Sequence, residues 1–400
     1  MRTISTGQDT VLRSAAFSVF SRIRIENGSG TLVNLTTYGG RDWFNGAEWG
    51  ANVDEVVPAG RFFIARSHST AASGSLAPLI EASTLNVDDA AAYSALLDPG
   101  ADVYLDTATL AQASTLPANA STDWQNQFTG TIDSVSFGGP EIEIYARDKI
   151  GAVLADRWVE DERPYGTEAG VAIQTVMQDI SNEWAAGQAV TTPTSPGFLI
   201  TTYQQTQQSV LDAHRTLAQL IGWDIRPQWH NASSAIAYVF SEPDRAPSTF
   251  SMTFGSSGYI DVRRLDISRE DVRNAISVRY TVSSTAGSTS AGTRATYFTS
   301  DSTSISRYGR RWMEIDLPDD SDINSTSEAA DLGDAALSDL AYPEAEQEIE
   351  TFYFWPVQLG DYYRFLANGV HYDANQDWAV YGYRHVLRQN ENRTFLQVRG

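Results

Sequence analysis

The chain has 400 residues, 42% of them hydrophobic and 11% aromatic, which is enough to bury a sizeable core and too apolar for a solvated, disordered tail. It contains no cysteine, so disulfides, thiolate metal sites and cysteine nucleophiles are excluded. With 28 basic against 50 acidic residues the net charge is −22, which argues against a surface that grips nucleic-acid phosphates.

No apolar run reaches membrane-spanning length and the N-terminus is not basic-then-apolar, so neither a spanning helix nor a secretory signal is expected. The only lysine is Lys149. A GC-rich genome or a salt-loving host accounts for such an acidic, arginine-using composition. A second reading, compatible with the first, is that an acidic surface faces DNA in transit and repels it weakly.

In chain order, residues 1–150 read as mostly β. Phe17 to Ile25 alternates apolar with polar at period two, as a half-buried strand does. Tyr38-Gly-Gly and Asn45-Gly mark turns. Val53 to Arg66 reads as a strand pair broken at Pro58-Ala-Gly60. Thr129 to Phe137 and Glu141 to Tyr145, joined by Gly138-Gly-Pro140, form the strongest hairpin signal. Ser75 to Asn86 is undecided.

The character changes after Ala146. A helix is expected from Thr167, with Ala169, Ile173, Val176, Met177, Ile180 and Trp184 on one face and Gly187 closing it. A second runs from about Thr206 to Leu220, with Val210, Ala213, Leu217 and Leu220 inward and Gly222 at its end. Trp223 to Trp229 and Ala235 to Phe240 then read as a hairpin. Ile276, Val278, Tyr280 and Val282 alternate as a strand, and Ser283 to Gly292, almost wholly Ser, Thr, Ala and Gly, reads as a surface loop.

The last stretch opens with Ser325 and Glu328, a capping-box pair ahead of Ala329, Leu332, Ala336 and Leu340. Pro343 stops that helix. Strands follow at Thr351–Val357, Trp378–Arg388 and Thr394–Gly400, with a turn at Leu359-Gly-Asp361. The whole predicts an α+β, β-dominated fold: a barrel-like β domain over 1–150, a helix-containing α/β middle over 151–262, and a second barrel-like domain over 263–400 carrying one helix near 326–341.

Catalytic motifs are missing from this sequence. Lys149 does not follow the glycines of a phosphate loop, and no His-Glu-x-x-His or Gly-x-Ser-x-Gly is present. His68, His214, His230, His371 and His385 are scattered, none at ligand spacing with another. Asp320-x-Asp322-x-Asn324 copies the first three positions of a calcium loop but lacks the glycine at the sixth and the glutamate at the twelfth, so a solvated loop that caps the next helix is the better reading. Glu160-Asp-Glu162 beside Trp158, and Glu346, Glu348 and Glu350, are the carboxylate clusters with a conceivable acid/base role. If the strand extends back over it, the second set lies on one strand face, which suits a protected sheet edge, an intersubunit surface or a channel lining. Trp43, Trp49 and Trp124, read as exposed, suit either glycan stacking or a subunit interface. No catalytic, cofactor-binding or metal residue is assigned, and no cofactor is expected.

The capped helix, the aromatic strand, Leu359-Gly-Asp, Tyr383-Arg-His385 and the run from Thr394 to Arg399-Gly400 together resemble the C-terminal part of tail hub proteins. These are baseplate or tail-tip proteins of long-tailed bacteriophages and related tailed viruses. The stretches Phe62-Phe-Ile-Ala-Arg66 and Ser75 to Asn86, the two helices followed by Gly222-Trp223, and Asp271-Val-Arg-Asn-Ala-Ile-Ser-Val278 resemble such proteins in the same order. The resemblance implies a non-enzymatic virion protein, made in the host cytoplasm and located at the tail tip. It implies a homotrimer whose paired barrel-like domains present a pseudo-sixfold ring to the tail tube or a distal tail protein. Tip, fibre or receptor-binding proteins would sit on the other face, with DNA only in transit through the lumen and no membrane contact. A different tail-tip ring protein is a variant of this reading. The alternative from another class is a secreted acidic, β-rich carbohydrate-binding protein or glycoside hydrolase.

Overall fold

The computed structural model describes residues 12, 17–26, 30, 32–35, 44–52, 57–65, 97, 99–112, 114–118, 120–138, 141–165, 171–191, 199–200, 203–220, 223–230, 235–241, 252–254, 259–282, 293–318, 323, 325–343, 345–365, 377–388 and 391–399. The turn at Tyr38, the stretch from Ser75 to Asn86, the loop from Ser283 to Gly292, Asp320, Asp322, Asn324, His68, His371 and Trp43 lie outside the described residues.

The first 150 residues supply β1 (Phe17–Glu26), β2 (Leu32–Asn34), β3 (Phe44–Asn52), β4 (Ala59–Ala65), β5 (Asp102–Ala111), β6 (Gln125–Gly138) and β7 (Glu141–Asp148). The alternation in β1 puts Ile23 and Ile25 fully inside, and all ten of its residues pair antiparallel with β5. Residues β6 and β7 form the expected hairpin, with Ile142, Ile144 and Ala146 inward at strict period two. Two turn expectations are corrected. Asn45-Gly46 lies inside β3, at a register shift, because β24 (introduced below) runs too close there for a side chain: a Cβ on Gly46 would sit 2.7 Å from the Leu387 carbonyl oxygen. Ala59 and Gly60 likewise belong to β4 and do not break a strand pair.

Helix α1 (Lys149–Asp156) follows directly, a helix the sequence reading did not anticipate. Its start is fixed by Asp148, whose side chain accepts from the Gly151 N–H at 2.8 Å. Next come β8 (Trp158–Val159), β9 (Arg163–Tyr165), β10 (Val171–Ala172), α2 (Ile173–Trp184), β11 (Val190–Thr191), β12 (Leu199–Ile200), β13 (Tyr203–Gln205), β14 (Gln208–Ser209) and α3 (Val210–Leu220). Both expected helices therefore start later than their sequence signals, at Ile173 and Val210. The residues before them are taken by short antiparallel pairings, β8 with β14 and β10 with β12, which satisfy their backbone groups outside a helix. Strands β15 (Asp224–His230) and β16 (Ala235–Ser241) form the expected hairpin. Ile173, Val176, Met177 and Ile180 of α2 pack with Val210, Ala213 and Leu217 of α3 and with Tyr238 and Phe240 beneath.

The rest comprises β17 (Met252–Phe254), β18 (Tyr259–Ile267), β19 (Ala275–Val282), β20 (Thr293–Ser300), α4 (Ser302–Tyr308), β21 (Trp312–Asp316), α5 (Thr326–Leu340), β22 (Ala345–Phe352), β23 (Tyr362–Phe365), β24 (Asp377–Arg388) and β25 (Glu391–Arg399). Helix α5 carries both limbs of the capping box: Ser325 Oγ accepts from the Glu328 N–H, and the Glu328 side chain accepts from the Ser325 N–H. The expected aromatic strand at Thr351–Val357 ends instead at Phe352. Tyr353, Phe354, Trp355 and Val357 turn inward as buried core.

The fold is α+β and β-dominated, as expected. Its main sheet has 13 strands in the order β18-β22-β25-β24-β3-β4-β7-β6-β5-β1-β2, with β17 and β23 attached beside β24. Among the described residues β18 and β2 end that path and no pairing closes it into a barrel. Strands from both ends of the chain share this sheet, joined where β3 pairs with β24 from Asn52↔Gly382 to Gly46↔Arg388. One apolar core lies under it, drawing on both ends of the chain, from Ile23 and Phe62 to Trp378 and Leu396. A second core belongs to the helical middle. A third lies between α5 and the three-stranded sheet β20-β19-β21.

Candidate interaction surface

The histidines that can be placed are structural. His214 on α3 is fully buried; its Nδ1 donates to the Val210 carbonyl at 2.7 Å and its Nε2 lies 2.8 Å from Ser181 Oγ. Burial pushes its pKa down to about 4. His385 on β24 is held among the rings of Trp49, Tyr353 and Tyr383, with Nδ1 2.8 Å from the Thr394 hydroxyl, and burial pushes its pKa down to about 3. Trp49, read as exposed, is 4% exposed because the period-two alternation of β3 turns it into the core beside His385. Trp124 is half-covered: its Nε1 donates to the Ala118 carbonyl and Arg22 lies over its ring at 4.5 Å. Among the described residues no group of three or more His, Asp or Glu is arranged to hold a metal ion, and no helix is long and apolar enough to cross a membrane.

Glu346, Glu348 and Glu350 do share one strand, β22, but β22 is hydrogen-bonded on both sides, to β18 and β25, so the edge reading is corrected. Their face is the outer one, since Gln347 and Ile349 between them are buried, although Glu350 is itself covered. Glu346 accepts from Arg399 at 2.9 Å and Glu350 from Arg393 at 3.1 Å. Arg388 donates to Glu48 at 3.1 Å and lies 3.9 Å from the Phe63 ring centroid, and Arg384 covers Phe395 at 4.7 Å. A groove of about 520 Å³ crosses this face between Glu48, Asn52, Arg61, Glu348, Arg384 and Gln397. It exists because Gly50 leaves its floor bare; a Cβ there would collide with the Tyr383 carbonyl oxygen. Charge meets charge along this face, and no side chain in the groove is placed as a nucleophile beside a base.

The three-stranded sheet β20-β19-β21 differs. One face packs on α5 through Ile276, Val278, Tyr280, Ala295, Tyr297, Met313 and Ile315. The opposite face carries Phe298 (45% exposed) and Trp312 (51% exposed), whose rings stack at 5.3 Å and 17°. Ion pairs Arg279–Glu314 (2.9 Å) and Arg294–Asp316 (2.7 Å) flank them. Arg307, Arg310 and Arg311, at the same end of β21, form no ion pair with a described residue. This aromatic face was not singled out from sequence. Its signal was one of phase: in Thr293–Ser300 and Trp312–Asp316 the core phase is held by Ala295, Tyr297, Met313 and Ile315, and Phe298 and Trp312 fall on the other phase.

The other acidic candidate, Glu160-Asp161-Glu162, is exposed and stands beside Trp158, itself 54% exposed on β8. Its three carboxylates face solvent, in keeping with the reading as surface charge.

The sequence matches no family model and no curated protein. Its fold does have relatives among solved structures. A tail protein from Neisseria meningitidis MC58 is similar over 95% of this chain and 96% of its own, at 12% identity and a TM-score of 0.57. The 43 kDa tail protein of prophage MuSo2 from Shewanella oneidensis is similar over 95% and 98%, at 11% identity and a TM-score of 0.59. Prophage tail protein gp18 from Listeria monocytogenes EGD-e is similar over 95% and 94%, at 14% identity and a TM-score of 0.58. The chain thus has, over nearly its whole length, the fold of phage tail proteins.

Proposed function

We propose that this protein is a structural component of a phage-type tail: a tail hub that closes as a homotrimeric ring at the distal end of the tail tube. The observation that carries this reading is the end-to-end fold similarity to three phage tail proteins, which leaves no large part of the chain over for another task. In the proposal the tube or a distal tail protein binds one side of the ring. Tip, fibre or receptor-binding proteins occupy the other, and DNA passes through the lumen, repelled by a chain of net charge −22. The protein belongs to the virion tail tip and is made in the host cytoplasm. The units 1–150, 151–262 and 263–400 stand as its proposed domains, and its role is architectural rather than enzymatic. The glycan reading loses part of its motive, because Trp49 is core and Glu346 and Glu350 are bound by arginines, while Trp158 with Glu160 and Glu162 stays exposed.

Light-scattering mass of the purified chain, with negative-stain images of the same sample, tests the proposal. A particle near three times 43.9 kDa with a central hole is expected. A chain that stays monomeric in the presence of tail-tube protein, and is absent from virions, overturns it.

A further inference from the structure

The exposed face of β20-β19-β21 has the composition of an interface centre without an occupant. A Trp, a Phe and arginines are the side chains that dominate binding energy when water is excluded from them. Here Phe298 and Trp312 stack on each other over the small residues Ala275 and Ser277, which their cross-strand register places between them. Arg307, Arg310 and Arg311 crowd the same end, unusual in a chain with 50 acidic residues. An acidic surface with an apolar centre is the chemistry that fits.

The chain itself carries such a surface elsewhere. Trp158, 54% exposed, is followed at once by Glu160, Asp161 and Glu162, all exposed. Glu160 and Glu162 form no ion pair with a described residue. The two patches belong to different cores, one on the helical middle and one on the α5 sheet, and the rings of both are exposed, so neither covers the other within the chain. We propose that they meet between chains: the Phe298–Trp312 face with Arg310 and Arg311 of one copy docks on the Trp158–Glu162 segment of the next. Two unlike patches on one chain make a head-to-tail contact, which closes a ring when its rotation returns to the start and runs into a filament when it does not. The inference rests on the ring proposed above and assigns its seam.

The test is a charge exchange read by mass against concentration. Arg310→Glu with Arg311→Glu weakens self-association by about 10-fold or more, and so does Glu160→Arg with Glu162→Arg. The chain carrying all four changes recovers a large part of that loss, which no general damage to folding would do. Trp312→Ala weakens association comparably. Raising the ionic strength weakens the wild type and leaves the single-sided variants less affected. Each variant melts within a few degrees of the wild type, since all these side chains are at the surface. If the wild type forms a closed oligomer that the Arg310/Arg311 pair of changes leaves intact, the seam is wrong and the ring stands. If the arginine changes abolish binding of another tail protein while the oligomer persists, the face belongs to that protein and the seam is again wrong. A wild type that is monomeric at every concentration also removes the seam; its presence or absence in virions then decides the hub reading separately.

Discussion

The main sheet and the small sheet beside α5 handle their outer faces in opposite ways. On the main sheet, several charges end on a partner within the chain: Arg399 on Glu346, Arg393 on Glu350, Arg388 on Glu48, with arginine planes lying over Phe63, Phe395 and Tyr381. On the small sheet, Arg279 and Arg294 are paired with Glu314 and Asp316, but the outer face sets two large rings in solvent, and the adjacent Arg307, Arg310 and Arg311 form no ion pair with a described residue. The difference teaches that composition alone does not mark a binding face. Both faces are rich in Arg and aromatics, and what separates them is whether those groups already satisfy one another.

The contrast can be broken most severely at Gly50. Gly50→Val puts a branched side chain into the Tyr383 backbone and forces β3 off β24, so the main sheet loses the seam between its two halves. Loss of soluble, folded protein is expected by circular dichroism, beyond the roughly 3 kcal/mol of an ordinary overpacked site. Next comes Asp106, 2% exposed, which accepts from Arg22 and Arg24, each at 2.7 Å, and from Asn126 at 3.2 Å. Asp106→Ala strands a buried arginine and costs about 3–5 kcal/mol in denaturant unfolding.

The buried titratable groups give a pH signature of similar size. The folded pKa values of His214 (about 4) and His385 (about 3) lie below the unfolded value of about 6.5. The unfolded chain therefore takes up more protons as pH falls, and the stability these groups hold above pH ~6.5 is lost on the way to pH ~4, roughly 3 kcal/mol each. Asp148 opposes them. Burial raises it to about 6, so its contribution is fully present below ~3.8 and is lost as pH rises through 6. Asp224 and Asp361, whose carboxyls are also raised by burial, act in the same direction as Asp148. Thermal melts of wild type and His214→Gln at both pH values check the histidine share: the variant's acid loss should be smaller, and equal losses would refute the assignment.

Smaller effects sharpen the comparison. Ser325→Ala removes one limb of the α5 capping box and costs about 1 kcal/mol. Trp312→Ala costs the folded monomer under about 1 kcal/mol, since only one ring stack is lost from an exposed site. A larger loss for Trp312 than for Ser325 would mean the small sheet needs its outer aromatics to fold, and the contrast between the two faces would fail.

Local chemistry was legible in the sequence and distant pairing was not. The α5 cap could be read because Ser325 and Glu328 lie three residues apart, and the β6–β7 hairpin because alternation and turn residues are adjacent in the chain. Helix α1 was missed because it is short, contains Gly151 and takes its cap from the last residue of a strand, Asp148. Asn45-Gly46 looks like a turn by every local rule; only the approach of a strand some 340 residues away explains a glycine inside β3. The same long-range contact hid Trp49, whose burial depends on His385 and Tyr353. At the candidate interface, the two ring-bearing positions were visible as out-of-phase aromatics. That both stay exposed could be learned only from the packed molecule.

The seam between β3 and β24 also sets a schedule. Glu48 and Arg388 are 340 residues apart. At the roughly 5–20 residues per second of ribosomal synthesis, on the order of half a minute passes between the emergence of one strand and that of its partner. Throughout that interval β3 presents a naked edge, carrying Ala47, Trp49 and Ala51 on its apolar side, to every other nascent copy in the cell. Crowded polysomes would be the place where such edges find each other, so the yield of this chain should respond to chaperone supply and growth temperature more sharply than its final stability would suggest.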